Sequence, residues 1–181
     1  MGYTIHPIGY PEWVAANPSG SFRKFADYMH QQAKKYLLED GYHAEMLFFM
    51  PIDGNGQLVM WEGEDRDDVA QWVRDYINKH YIFGLVHVCE SWVRFADNPN
   101  DHTFKQIQAG EMKVSDMKPE HRKEALSVTA QARDGYSVSW IDEMIRGGEK
   151  GKGGKNDRGT MKLGKCHEVH DIEGRFGKLF G

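Results

Sequence analysis

The segment "EALSVTAQARDGYSVSWIDEMI", residues 124–145, constrains the fold most. Apolar and polar residues alternate on both sides of Asp134-Gly135, the period of strands that bury one face. The Asp-Gly pair supplies the positive φ that a tight hairpin turn requires. A second hairpin is expected where "AEMLFFMPI" and "QLVMWEG" meet through "DGNG" at 53–56. A long apolar run from Ile82 to Phe95 reads as a further strand, and "TMKLGKCHEVHDI" as a last one.

Helical periodicity occurs in two places. Phe22, Phe25, Ala26, Met29, Ala33, Tyr36 and Leu37 recur at three- and four-residue steps, with Ser19 or Ser21 as caps and Gly41 as the stop. Val69, Trp72, Val73, Tyr76, Ile77 and His80 form a second stripe after Asp65, and the acids at 62–68 suit a helix N-terminus. Strands that follow one another through hairpins favour an α+β fold. The expected architecture is a mixed, largely antiparallel sheet of five to six strands, with two main helices packed on one face.

The 181 residues suffice for a single domain, 1–181, and 40% hydrophobic content supports a proper core. Residues 1–18, rich in prolines and aromatics, read as an extended arm that avoids helix and central strand. Residues 96–119 read as a long loop and 147–159 as a flexible Gly/Lys loop. Net charge −4 offers no global field for nucleic acid or anionic lipid. Two cysteines are too few for a secreted disulfide framework, and neither a signal peptide nor an apolar membrane span is visible. The expectation is a soluble cytoplasmic protein without membrane or nucleic-acid partners.

Five stretches of the sequence are candidates for chemistry. His87 and Cys89 share one face of the 82–95 strand and Glu90 takes the other, so a base, a thiol and a half-buried carboxylate stand together in sequence. Buried free cysteine is common as a small apolar group, whereas a half-buried Glu90 needs a partner. In "CHEVHD", Cys166 and His170 share a face and are proper metal ligands, though their spacing matches no zinc-finger pair. Lys150, Lys152, Lys155 and Arg158 in the glycine tract could grip an anion. Asp53, Asn55, Gln57 and Glu64 occupy ligand positions of a calcium loop, but Leu58 stands where that loop needs glycine. "GTMKLGKC" at 159–166 misses the phosphate-binding loop at its last position, where Cys166 replaces a hydroxyl.

The pattern Cys89, Glu90, Ser91, Trp92, followed by Arg122, Glu124, Ala125 and Leu126, resembles a family of small bacterial and phage proteins of uncharacterised activity. In that family a Ser-Glu-Ala-Trp-like strand precedes an Arg-x-Glu-Ala-Leu strand. The resemblance covers about residues 41–142 and implies a fold and a buried Glu90–Arg122 pair, with no activity attached. Cys89 and Ser91 depart from the pattern.

No motif calls for a cofactor. The expected function is a non-enzymatic accessory or protein-interaction domain, phage- or mobile-element-associated, that binds a protein partner or itself. One alternative is a small enzyme for an anionic substrate using Glu90, His87 and Cys89, helped by His102 or His121. Another is a metal-binding module built on Cys166 and His170.

Overall fold

A computed structural model describes residues 3–61, 66–95, 101–147, 161–170 and 177–180. The elements run β1 (Tyr3–Pro7), α1 (Glu12–Ala15), α2 (Pro18–Asp40), β2 (Met46–Pro51), β3 (Gln57–Trp61), α3 (Arg66–Lys79), β4 (Ile82–Val93), α4 (His102–Gln108), β5 (Lys123–Ala132), β6 (Ser137–Arg146) and β7 (Met161–His170). Two short 3₁₀ turns, Val114–Asp116 and Pro119–His121, lie between α4 and β5. The strands form one seven-stranded sheet in the order β1-β3-β2-β4-β5-β6-β7, and every neighbouring pair is antiparallel. The fold is therefore α+β as expected, but the sheet has more strands than expected and is antiparallel throughout.

The two main helices do not share a face. Phe22, Phe25, Ala26, Ala33 and Leu37 of α2 pack with Val86, Val88, Leu126, Val128, Val138 and Trp140. Val69, Val73 and Ile77 of α3 pack with Leu47, Phe49, Val59 and Leu85. Since neighbours along a strand point to opposite faces, these are two cores on two sides of one sheet. The one-sided expectation fails because β4 is buried at almost every position from Ile82 to Cys89. A continuous apolar run of this kind signals a strand covered on both faces. Each fully buried Phe or Leu contributes about 1.5–3 kcal/mol.

Local chemistry explains the joints. The helix α2 starts before the expected serine caps: Asn17 accepts from the Gly20 N–H at 3.1 Å, and Pro18 takes the first position, where its missing N–H costs nothing. Gly41 at φ 71° ends the helix, its N–H bound to the Leu37 carbonyl at 2.8 Å. Both expected hairpins form. Gly54 and Gly135 take positive φ, and Asp53 and Asp134 each accept from the backbone N–H two residues on. That turn, with Asn55 holding both oxygens of Asp53, accounts for the calcium-loop-like residues through Gln57; Glu64 lies outside the described residues.

The N-terminal arm is structured on the body of its own chain. It contributes edge strand β1 beside β3, and Pro11 opens a one-turn helix. Tyr3 stacks on Trp72 at 4.3 Å, and Tyr10 donates its hydroxyl to the Phe49 carbonyl. The expected 96–119 loop contains α4, capped by Asp101. The C-terminal residues 177–180 are anchored as well: Leu179 and Phe180 are buried in the α3-side core, and Gln131 accepts from the Leu179 N–H. The Gly/Lys loop lies outside the described residues.

Candidate functional site

Glu90, His87 and Cys89 do not converge. His87 and Cys89 face the α3 side of the sheet with Leu85, while Glu90 faces the α2 side with Val86 and Val88. A combined site from the three is excluded by the thickness of the sheet. Glu90 lies just past the C-terminus of α2, where its Oε1 accepts from the His43 N–H at 2.7 Å and its Oε2 from Arg146 at 3.0 Å. Arg146 also donates to Glu124 at 2.5 Å and to the Gly41 carbonyl at 2.9 Å, so one guanidinium ties the helix end to β4 and β5. The carboxylate thus has a structural assignment.

Arg122 is not the partner of Glu90. Its guanidinium stacks on Trp92, 4.1 Å from the ring centroid, and donates to the Ser115 carbonyl. The expectation misjudged reach: Arg122 precedes β5 and folds back over Trp92, whereas Arg146 at the end of β6 reaches inward across Glu124.

What His87 and Cys89 do meet is Glu45, which no sequence signal had singled out. Met46 pairs with Val88, so the residue before it sits opposite Cys89 and diagonal to His87. His87 Nε2 and Glu45 Oε1 are 2.8 Å apart, and one ligand-type atom from each of Glu45, His87 and Cys89 lies within 4.8 Å of the other two. Trp61 stacks against the imidazole at 6.2 Å. Burial alone would push the imidazole down, but the charge and hydrogen bond of Cys89, joined by Glu45, hold it up at about 9. Cys89 is 4% exposed and His87 3%, which leaves Glu45 as the solvent-facing side of the group.

A second cluster occupies the other face. His30 of α2 and Asp142 of β6 meet at 2.5 Å, Lys34 stands 3.4 Å from the second carboxylate oxygen, and Cys166 of β7 lies opposite Asp142. His30 stacks on Trp140 at 4.9 Å. Burial raises the Asp142 carboxyl, yet the bonds and charges of His30 and Lys34 outweigh it and hold the group below its ordinary value. Burial and the same carboxylate push the Cys166 thiol up to about 11. His170 does not join Cys166 here; its ring pairs with Glu168 at 2.9 Å. The expected Cys166–His170 metal pair is replaced by a Cys166–Asp142–His30 group across three elements.

The third feature is a groove of about 400 Å³ at the strand ends of β4, β5 and β6. Trp92 with its stacked Arg122 forms one wall, and Met144, Ile145 and Arg146 belong to the other strand. Trp92 is 42% exposed and Ile145 52%. Lys123 is tied to Glu143 at 2.9 Å, and Arg146 to Glu124 and Glu90. His102 and His121 are exposed, and the His121 carbonyl accepts from Arg94. Lys150, Lys152, Lys155 and Arg158 lie outside the described residues. Among the described residues no helix is long and apolar enough to cross a membrane.

No protein-family model matches this chain, and no curated protein or solved structure matches it.

Proposed function

We propose that the protein is a non-enzymatic accessory protein that docks a partner polypeptide in the groove at the ends of β4, β5 and β6. One observation carries this reading: an exposed Trp92 with a guanidinium stacked on its face, beside an exposed Ile145, over a concave surface. Tryptophan and arginine are the residue types that dominate binding hot spots, because they bury large planar surfaces and still make directional polar contacts. Most neighbouring charges are already paired, so the recognised segment needs an apolar side chain for the groove and a carboxylate for Arg122.

The sheet edges suit such a role poorly. Edge strand β1 is short and ends in Pro7, and edge strand β7 exposes Lys162 and Lys165. Short edges, proline and lysine are the usual means of preventing strand addition. Cys89, buried and remote from the groove lining, supplies no exposed nucleophile to it.

A photoreactive amino acid at position 145 tests the proposal in cells, and native mass spectrometry of the pure chain tests self-association. A discrete crosslinked polypeptide that disappears with Arg122→Glu supports it. A crosslink to a second copy would make the partner this same chain. A strict monomer with no discrete product at position 145 overturns it.

A further inference from the structure

We propose that Glu45, His87 and Cys89 form a binding site for a divalent zinc-class metal ion on the α3 face of the sheet. Thiolate, imidazole and carboxylate are the donors that such an ion prefers, and here they are brought together by pairing between β2 and β4. His87 and Cys89 are two apart on one strand and so point the same way; Glu45 stands across from Cys89. Two of the three ligands thus stand on the central strand β4, and Glu45 directly precedes β2.

An ion would take the place of the proton now held between His87 and Glu45. The thiol and imidazole are buried and the carboxylate partly exposed, so the first two are costly to desolvate. A divalent cation with one thiolate, one carboxylate and neutral imidazole is a neutral unit, which a buried location tolerates. The required movement is small. Two ligands bonded at 2.0–2.1 Å in a tetrahedral site stand about 3.3 Å apart. His87 Nε2 and Glu45 Oε1 are 2.8 Å apart, so a rotation of the partly exposed Glu45 side chain opens the gap. The fourth position falls on the Glu45 side, where water can reach it.

His30, Asp142 and Cys166 form a second group of such donors on the opposite face, with Lys34 3.4 Å from Asp142. An ion there would have to displace that ammonium or be repelled by it.

Cobalt(II) added to chelator-treated full-length protein tests the site, because a Co–thiolate bond gives a near-ultraviolet charge-transfer band that carboxylate and imidazole do not. We expect one equivalent to bind with that band, and zinc to displace it. Cys166→Ser leaves the band in place and Cys89→Ser removes it. Glu45→Gln, at the partly exposed ligand, keeps the fold and weakens zinc binding by about 100-fold, the upper end of what even a supporting residue costs. Circular dichroism of each variant separates ligand loss from misfolding. No charge-transfer band in the unsubstituted protein, a band lost with Cys166→Ser in place of Cys89→Ser, or zinc affinity unchanged in Glu45→Gln overturns the proposal.

Discussion

Glu90 and Arg146 meet at 3.0 Å beyond the end of α2, and the same carboxylate accepts from the His43 N–H at 2.7 Å. The two bonds are unequal in weight. The Glu90 side chain is largely covered and serves a backbone donor, whereas Arg146 is 44% exposed and its charge is screened by solvent.

Removing the two partners separates these contributions. We expect Glu90→Ala to cost about 1–3 kcal/mol, because it strands a partly buried backbone donor. We expect Arg146→Ala to cost about 1 kcal/mol or less, as an exposed pair does. Glu90→Gln, which keeps an acceptor for His43, falls between them. Urea unfolding of the three variants checks the order, and an Arg146→Ala loss equal to that of Glu90→Ala would contradict it.

Asp142 makes stability depend on acid. Its carboxyl is 1% exposed and is held below its ordinary value by His30 and Lys34 against the opposing effect of burial. A depressed folded-state pKa contributes stability that is present above the unfolded value of about 3.9 and is lost as pH falls through the folded value. We expect Asp142→Asn to cost about 3–5 kcal/mol at neutral pH, because it leaves His30 and Lys34 without their anion. The gap between variant and parent should close as the pH falls below about 4. Urea midpoints from neutral pH to well below 4 measure it; a gap that stays constant through that acid range would assign the loss to packing alone.

How much of this was legible in the sequence depends on the range over which each signal acts. The two hairpins and both long helices were readable because Asp53-Gly54, Asp134-Gly135 and the apolar stripes act over a few residues. The placement of α3 opposite α2 was not read, although the unbroken burial of Leu85 to Cys89 carried the hint. The face of Glu90 was readable from alternation, but its partner was not, because Arg122 and Arg146 are equally basic in a string of letters. Glu45 and His30 were missed for the same reason: each meets its partner across 42 and 112 residues respectively. For His30 there was a usable sign. It sits among buried Ala26 and Ala33 on the apolar side of α2, as Asp142 sits between Trp140 and Met144 on β6. A polar residue on each of two buried faces invites a search for a pair.

The two thiols should differ in reactivity for opposite reasons. Cys166 is exposed as a residue, but partial desolvation of its sulfur and the nearby Asp142 carboxylate raise its pKa from 9.0 to about 11. The thiolate is the reactive form, so at pH 8 we expect alkylation about 100-fold slower than at an ordinary exposed cysteine. Cys89 is sealed in the sheet and should react only when the protein unfolds. Mass spectrometry after timed iodoacetamide exposure reads both sites. Rapid labelling of Cys89 in the native protein would contradict its burial.

Gly84 tests how tightly α2 is seated on the sheet. A methyl group at this position would stand 2.5 Å from Cε2 of Phe22 and 2.6 Å from its Cζ. Phe22 is itself 1% exposed, with Phe83 and Tyr136 in edge contact at 6.0 and 6.1 Å, so the ring has little room to retreat. Ordinarily alanine would be favoured over glycine in a strand, since glycine loses more backbone freedom on folding. Here steric overlap opposes that gain, and overpacking in a closed core costs about 1–3 kcal/mol. We expect Gly84→Ala to destabilise the protein by an amount in that range, measured by urea unfolding. We expect the double variant Gly84→Ala with Phe22→Leu to recover part of the loss relative to Phe22→Leu alone, because the smaller side chain vacates the contact. Equal penalties in both backgrounds would show that the added methyl group meets something other than the Phe22 ring.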